Sequence, residues 1–168
     1  MNSLRFVTFS CAFGYIGILA SVRGILSITL PHPSIEEARR QLGERVNMAE
    51  WAPESFADLS ERLKAYFNGH QVTFLDRLDI APATSFQRQV WAATRLIPFG
   101  ETRTYNWVAQ QIKRPKAIRA VGQALGKNPL PIIIPCHRVI ASDGKLRGFK
   151  GGLEMKGRLL RLENSRIG

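Results

Sequence analysis

The residues with the clearest chemical potential are Cys136 and His137, which stand side by side after the apolar run PIIIP (131–135). A cysteine thiolate is a strong nucleophile, and a nearby basic group lowers the free energy needed to form it. The flanking prolines disfavour a helix, so the run is predicted to be a short buried strand or extended segment that presents Cys136 to a pocket. A buried structural cysteine is the alternative, because unpaired cysteines often act as small hydrophobic residues.

The adjacency of Cys136 and His137 argues against a cysteine-protease type of dyad. Neighbouring side chains in an extended chain point to opposite sides, which makes a direct hydrogen bond between the two unfavourable. Either the chain turns sharply at 136–137, or a water molecule relays the proton. The only other cysteine is Cys11, and without a CxxC pattern the sequence predicts no metal site and favours a reducing compartment.

The positive charge of the chain is confined to its second half. The formal net charge is +11, yet residues 1–85 hold 8 Lys and Arg against 9 Asp and Glu, whereas residues 86–168 hold 16 against 4. Such asymmetry favours a polyanionic partner, either nucleic acid or an acidic membrane surface, over a basic surface that merely keeps the protein soluble.

The first half, residues 1–82, is predicted to be an α/β domain with an antiparallel sheet. The uncharged stretch 6–22 could pass for a signal peptide or a membrane span, but Gly, Ser and Thr interrupt it, so we interpret it as strand, turn and strand. This domain carries no chemical motif and is predicted to be a scaffold. Its predicted elements are strands in 6–22 and ILSITLP (25–31), helices in PSIEEARRQLGE (33–44) and PESFADLSERLKAYFNG (53–69), and a strand in VTFLDRLDI (72–80).

The second half, residues 83–168, is predicted to be mainly helical, which makes the whole chain α+β. Two short helices joined by a turn at Pro115 form a helix-turn-helix pattern, and Ile118 is assigned to the buried stripe of the second helix. With the basic charge, this pattern favours DNA binding. The predicted helices are SFQRQVWAATRLI (85–97), led by Ser85, then TYNWVAQQI (104–112), KAIRAVGQAL (116–125) and LEMKGRLLRLEN (153–164), the last preceded by a mobile basic loop, GKLRGFKGG (144–152).

The segment PCHRV (135–139) resembles the active-site motif of the O6-alkylguanine-DNA alkyltransferases, also called methylated-DNA–protein-cysteine methyltransferases. The segments TYNWVA, PKAIRAVGQAL and NPLPIIIPCHRVI, with the later GGL and KxxLLxxE, occur in that family's order and spacing, so the resemblance covers 86–168. It implies a ribonuclease H-like first domain, no cofactor, and DNA repair by transfer of an alkyl group from guanine O6 to a cysteine that is used once. Activity on thymine O4 stays open.

The resemblance also implies roles for four residues of the reaction centre. Cys136 would accept the alkyl group, and His137 would act as a base through a water molecule. Glu163 would hydrogen-bond His137 and hold its orientation, and Asn128 would brace the turn ahead of the active-site segment.

On the DNA, the resemblance implies that the damaged nucleotide is flipped out of the duplex, because its O6 atom is otherwise inaccessible. Arg119 would fill the vacated space, Tyr105 would crowd the phosphate 3′ of the target, and the second helix of the pair would enter the minor groove. Further contacts with the DNA backbone are expected at Gln87, Asn106, Arg114 and Ser142.

The pocket and its lid are expected to involve Val139, Phe149 and Lys150. Relatives often have Tyr where this chain has Phe149, and a small polar residue where it has Lys150. These departures leave open which alkyl groups are tolerated. Some relatives hold zinc in the first domain, but with Cys11 as the single cysteine there, that site is not carried over.

The expected partner is double-stranded DNA with O6-alkylguanine, bound by a monomer, with cooperative assembly on DNA left open and no membrane association. The expected location is the cytoplasm of a prokaryote or the nucleus of a eukaryote. Two alternatives remain: an alkyltransferase-like protein that binds damage without transfer, although such proteins lack the acceptor cysteine, and a helix-turn-helix regulator in which Cys136 is structural.

Overall fold

The computed structural model describes residues 3–149 and 151–164, and the chain forms two compact units, Met1–Ile80 and Ala81–Gly168. The first unit contains the main sheet and the second is mainly helical, which confirms the predicted α+β class. Within the described ranges, no helix is long and apolar enough to cross a membrane.

The sheet of the first unit has the order β3-β2-β1-β4. The stretch 6–22 forms a hairpin as predicted, and the next strand continues it antiparallel, but the fourth strand pairs parallel to β1, so the sheet is mixed. Apolar residues are buried on both faces of this sheet: Phe6 and Leu19 lie on one face, and Ile16 and Ile18 on the other. The strands are β1 (Arg5–Cys11), β2 (Gly14–Ser21), β3 (Gly24–Ile28) and β4 (Glu50–Trp51).

Both predicted helices of the first unit are present, as α1 (Ile35–Gln41) and α2 (Ala57–Phe67). The Ser34 hydroxyl accepts a hydrogen bond from the Glu37 N–H and so caps α1. The strand predicted over 72–80 is wrong. Its alternation is real, but the segment is irregular and makes only a single bridge, between Ile25 and Leu78.

The described residues of the second unit form four α-helices: α3 (Ser85–Thr94), α4 (Tyr105–Gln111), α5 (Ile118–Gly126) and α6 (Leu153–Asn164). The N-cap of α3 is Thr84 rather than Ser85, because Thr84 and Gln87 exchange hydrogen bonds in a capping box. The Trp91 indole donates to the Ala124 carbonyl at 2.9 Å, which ties α3 to α5 inside this unit.

The helices α4 and α5 form the predicted helix pair, with Val108 and Val121 fully buried between their neighbours. The assignment of Ile118 to the core is wrong. Ile118 is the first residue of α5 and is 44% exposed, because the buried stripe begins one turn later, at Val121.

The run before Cys136 is buried but is not a strand. Residues 131–134 form a tight turn closed by a bridge between Pro131 and Ile134, and Ile132 adopts φ = 76°. A 3₁₀ turn, Cys136–Arg138, follows directly and leads into β6 (Val139–Ile140), which pairs parallel with β5 (Arg103–Thr104). The candidate nucleophile is therefore placed on a turn between buried segments.

Candidate active site

The turn at Cys136 accounts for the unusual Cys-His adjacency. The Cys136 N–H donates to the Ile134 carbonyl at 2.7 Å, and the Arg138 N–H donates to the Pro135 carbonyl at 2.9 Å. The chain thus turns sharply at 136–137, which is one of the two geometries that the sequence leaves open. Cys136 is 9% exposed and His137 is fully buried.

Asn128 connects the two ends of the turn that precedes Cys136. Its amide nitrogen donates to the Ile134 carbonyl at 2.8 Å and to the Cys136 sulfur at 3.2 Å, while its amide oxygen accepts from the Leu130 N–H at 2.8 Å. One buried side chain therefore satisfies the backbone of the turn and contacts the candidate nucleophile.

Glu163, near the end of α6, lies beside His137. His137 Nε2 and Glu163 Oε2 are 2.5 Å apart, and both side chains are essentially inaccessible to solvent. An acidic residue near a helix C-terminus is unfavourable for the helix dipole, so its tertiary partners must compensate. The structure thus brings together His137 and Glu163, which the resemblance pairs.

Arg138 is a further partner of Glu163 that the sequence analysis missed. Its guanidinium donates to both carboxylate oxygens, from Nε at 2.9 Å and from Nη2 at 3.1 Å, and from Nη1 to the Ile97 carbonyl at 2.7 Å. The Gly100 N–H also donates to Glu163 at 3.2 Å. The only sequence signal was the position of Arg138 inside the PCHRV motif.

These contacts determine the charge states of the pair. Burial opposes ionisation of Glu163, but the hydrogen bonds from His137 and Arg138 and the positive charge of Arg138 outweigh it and lower the pKa of Glu163 to about 2. Burial lowers the pKa of His137, and this effect exceeds the opposite effect of the Glu163 carboxylate. At neutral pH the pair is therefore an ionised Glu163 that accepts a hydrogen bond from a neutral imidazole.

Lys156, also on α6, is the second residue that the sequence analysis missed. It is fully buried, and its Nζ donates to the Arg147 carbonyl at 2.8 Å, as does the Tyr105 hydroxyl at 3.0 Å. Lys156 and Glu163 are seven residues apart, so they lie on the same face of α6, and this spacing is a signal that could have identified Lys156.

Lys156 and Cys136 interact electrostatically. Burial lowers the pKa of Lys156 to about 8, although negative charge on Cys136 acts in the opposite direction. Burial raises the pKa of the Cys136 thiol, and the Asn128 hydrogen bond and the Lys156 charge counteract this in part. In the free protein Cys136 is therefore a protonated thiol, and the neighbouring groups favour its thiolate form.

The residues expected to contact DNA lie in different settings. Arg119 and Asn106, on α5 and α4, are exposed, as are Arg114 between these helices and Ser142. Gln87 is different, because its side-chain oxygen accepts from the Thr84 N–H in the α3 capping box. The Gln87 side chain is thus already committed, in part, to the helix cap.

The expected lid residues are placed only in part. Val139 is fully buried in β6, and Phe149 is half-buried in the segment that leads to α6. Lys150 lies outside the described residues. The segment before α6 is fixed at Arg147, whose carbonyl accepts from Tyr105 and Lys156 and whose guanidinium pairs with Asp143 at 3.0 Å.

The site's donor set does not resemble a metal centre. Across the described parts of the chain, no group of three or more His, Cys, Asp and Glu side chains is arranged to hold a metal ion. The chemistry available at the site is that of a thiol, an imidazole–carboxylate pair and a buried amine.

Two family models match most of the chain. The model described as "6-O-methylguanine DNA methyltransferase, ribonuclease-like domain" matches residues 4–80, and the one described as "6-O-methylguanine DNA methyltransferase, DNA binding domain" matches residues 85–165. A buried cysteine with its imidazole–carboxylate pair, placed beside a helix-turn-helix, is consistent with a protein class that performs thiol chemistry on DNA. The chain belongs to the 6-O-methylguanine DNA methyltransferase family.

Relatives of this chain carry the name methylated-DNA–protein-cysteine methyltransferase. The Mycolicibacterium paratuberculosis protein is 51% identical over 111 residues, which are 66% of this chain and 67% of that protein. The Methanosarcina barkeri protein is 50% identical over 113 residues, 67% of this chain and 70% of that one.

Solved structures agree over nearly the full length. The Mycobacterium tuberculosis O6-methylguanine methyltransferase is 37% identical with a TM-score of 0.80, and the match covers 97% of this chain and 94% of that one. A structure of Mycobacterium tuberculosis OGT in complex with DNA is 38% identical with a TM-score of 0.82, covering 96% and 94%.

Replacing Asn128 by Ala is expected to destabilise the protein by about 2–3 kcal/mol, because it leaves the buried Leu130 N–H without its acceptor. It should also slow alkylation of Cys136 by iodoacetamide at a given pH, since the lost hydrogen bond favours the thiolate. Chemical denaturation and thiol-labelling rates measure these effects. The exposed Asn164→Ala is the control, expected within about 0.5 kcal/mol of wild type; equal stability of the two variants would contradict the role given to Asn128.

Acid stability tests the charge state of Glu163. Because its pKa is lowered in the folded protein, ionised Glu163 contributes stability above about pH 4.5, and this contribution is lost as the pH falls towards about 2. The loss should amount to about 3 kcal/mol in denaturation experiments across that range. Glu163→Gln should flatten this part of the curve, whereas the exposed Glu154→Gln should not. Parallel curves for wild type and Glu163→Gln would disprove the assignment.

Proposed function

We propose that this chain repairs DNA by transferring an alkyl group from O6 of guanine to Cys136, with each molecule acting once. The observation that carries the proposal is the arrangement around the sulfur. Cys136 is buried, accepts a hydrogen bond from Asn128 and lies on the same turn as the paired His137.

The proposed reaction balances without a cofactor. The Cys136 thiolate attacks the alkyl carbon, a sulfur–carbon bond forms, and the carbon–O6 bond breaks with its electron pair moving to the guanine. The guanine then takes up a proton and is restored, while Cys136 remains as a thioether. Because a thioether is stable, the protein is consumed by the proposed reaction.

The proton of the thiol leaves through His137 and a water molecule in this proposal. Glu163 occupies Nε2 of the imidazole, so the ring exchanges its proton through the other nitrogen, Nδ1. The neutral state of His137 suits it to act as a base. The positive charge of Lys156 stabilises the thiolate that results.

DNA recognition is assigned to the α4–α5 pair. Arg119 is exposed on α5 and would occupy the space left by the flipped nucleotide, and Tyr105 at the start of α4 would crowd the 3′ phosphate. Small residues on α5, such as Ala120 and Gly122, suit close approach to a minor groove.

The remaining contacts follow from exposure and charge. Asn106, Arg114 and Ser142 are exposed on the basic unit and are proposed to bind the DNA backbone, which fixes the register without reading sequence. Gln87 is proposed to contact phosphate through its amide nitrogen, since its oxygen is in the α3 cap. We propose that the protein acts as a monomer, in the cytoplasm of a prokaryote or the nucleus of a eukaryote.

The lid is proposed to be the segment before α6. Val139 would form part of the pocket floor, and Phe149 with Lys150 would cover the flipped base. The first unit serves as a scaffold in this proposal, and residues 83–168 bind DNA and carry out the transfer.

Transfer can be tested by incubating the protein with a duplex that contains one O6-methylguanine and mapping the mass gain by peptide mass spectrometry. The methyl group is expected on the peptide that contains Cys136. Cys136→Ser should show no gain, whereas Cys11→Ser, which alters the other cysteine, should be methylated as wild type. Tight binding of the duplex without any mass gain would contradict the proposal and favour a damage-binding protein or a regulator.

A further inference from the structure

Arg138 connects helix α6 to the segment after α3, two parts of the second unit whose relative position the proposed reaction requires. Its Nε and Nη2 atoms bind the two oxygens of Glu163, and its Nη1 binds the Ile97 carbonyl in the segment after α3. The Arg138 guanidinium also lies 5.9 Å from the centre of the Phe99 ring. Only 11% of the Arg138 side chain is exposed, so these bonds form in a largely water-free environment.

The Glu163 carboxylate is correspondingly saturated. Oε1 accepts from Arg138 Nε and the Gly100 N–H, and Oε2 contacts Arg138 Nη2 and His137 Nε2. A buried carboxylate requires compensation of its charge. Arg138 is permanently charged and provides it, so His137 does not have to be protonated.

We propose that Arg138 is a positioning residue of the transfer reaction, whose guanidinium fixes and neutralises the Glu163 carboxylate so that His137 remains a neutral base. The inference rests on the proposed function, because it assumes that His137 accepts a proton during transfer. Without Arg138, the lone buried carboxylate would attract a proton onto His137, and the base would be occupied before the thiol could use it.

Lys156 acts on His137 in the same direction as Arg138. Among the described residues, the charged groups that act on His137 are Glu163 and Lys156 from α6 and Arg138 from the same turn. Both cations disfavour protonation of His137, and only Glu163 favours it. Two other titratable groups lie nearby. Cys136 interacts electrostatically with Tyr105 and with Lys156. Of these two cations, Arg138 binds the Glu163 carboxylate directly, at 2.9 and 3.1 Å.

The direct test follows the His137 imidazole by NMR across a pH titration. The chain has three histidines, and His32 and His70 provide internal references. In Arg138→Met, we expect His137 to become protonated at a higher pH than in wild type, with the references unchanged. Arg138→Lys, which keeps the charge but lacks the planar fork, should stay close to wild type. The exposed Arg161→Met, on α6, is the control for loss of one positive charge.

The kinetic test measures single-turnover methyl transfer at saturating duplex as a function of pH. In Arg138→Met, the rate at pH 7 should fall about tenfold and recover towards the wild-type rate at higher pH, where His137 is again neutral. A purely structural role would lower the rate by a similar factor at every pH. Arg161→Met should keep the wild-type profile.

A folded Arg138→Met protein in which His137 titrates as in wild type would overturn the inference. If that variant does not fold, the comparison moves to Glu163→Gln, where the buried charge is absent. Adding Arg138→Met to Glu163→Gln should still raise the pH at which His137 is protonated, since the repulsion by Arg138 is lost. An unchanged titration of His137 in this double variant would also overturn the inference. The NMR test requires no methyl transfer, so failure of the proposed function is recognised separately, by a wild-type protein that gains no methyl group.

Discussion

The active site depends on one buried negative charge, the Glu163 carboxylate. It is inaccessible to solvent and binds His137, Arg138 and the Gly100 N–H. A buried ion is tolerated only when its charge and its lone pairs are matched, so removal of these partners is expected to destabilise the unit. The same requirement orients the imidazole of His137, so stability and the proposed reactivity rest on the same set of bonds.

The turn that carries Cys136 explains how Cys136 and His137 can be neighbours in sequence and still contribute to one site. In an extended chain, Cys136 and His137 would point apart, but the 3₁₀ turn lets His137 reach Glu163 while the sulfur stays with Asn128. Burial keeps the thiol protonated in the free protein, since the pKa of Cys136 is raised. Under the proposed single transfer this protects the protein, because a thiolate exposed to other electrophiles would be consumed without effect.

Local patterns were sufficient for the fold class and the helix pair, and the family resemblance of the motif supplied the Glu163–His137 pairing. It did not reveal what depends on tertiary packing. The alternation in 72–80 is that of a strand, yet no strand pairs along it, and Ile118 fits a helical stripe but precedes the buried turn of α5. Arg138 and Lys156 were missed for a related reason: a charged residue is buried only when its partner lies elsewhere in the chain, and the sequence does not name that partner.

The central claim is that Cys136 is an acceptor used once. The most direct measurement is the number of methyl groups transferred per protein molecule when a duplex containing O6-methylguanine is in large excess. We expect transfer to stop at one methyl group per chain, however long the incubation lasts. Continued removal of methyl groups beyond one per chain would contradict the account and would mean that the protein regenerates its cysteine.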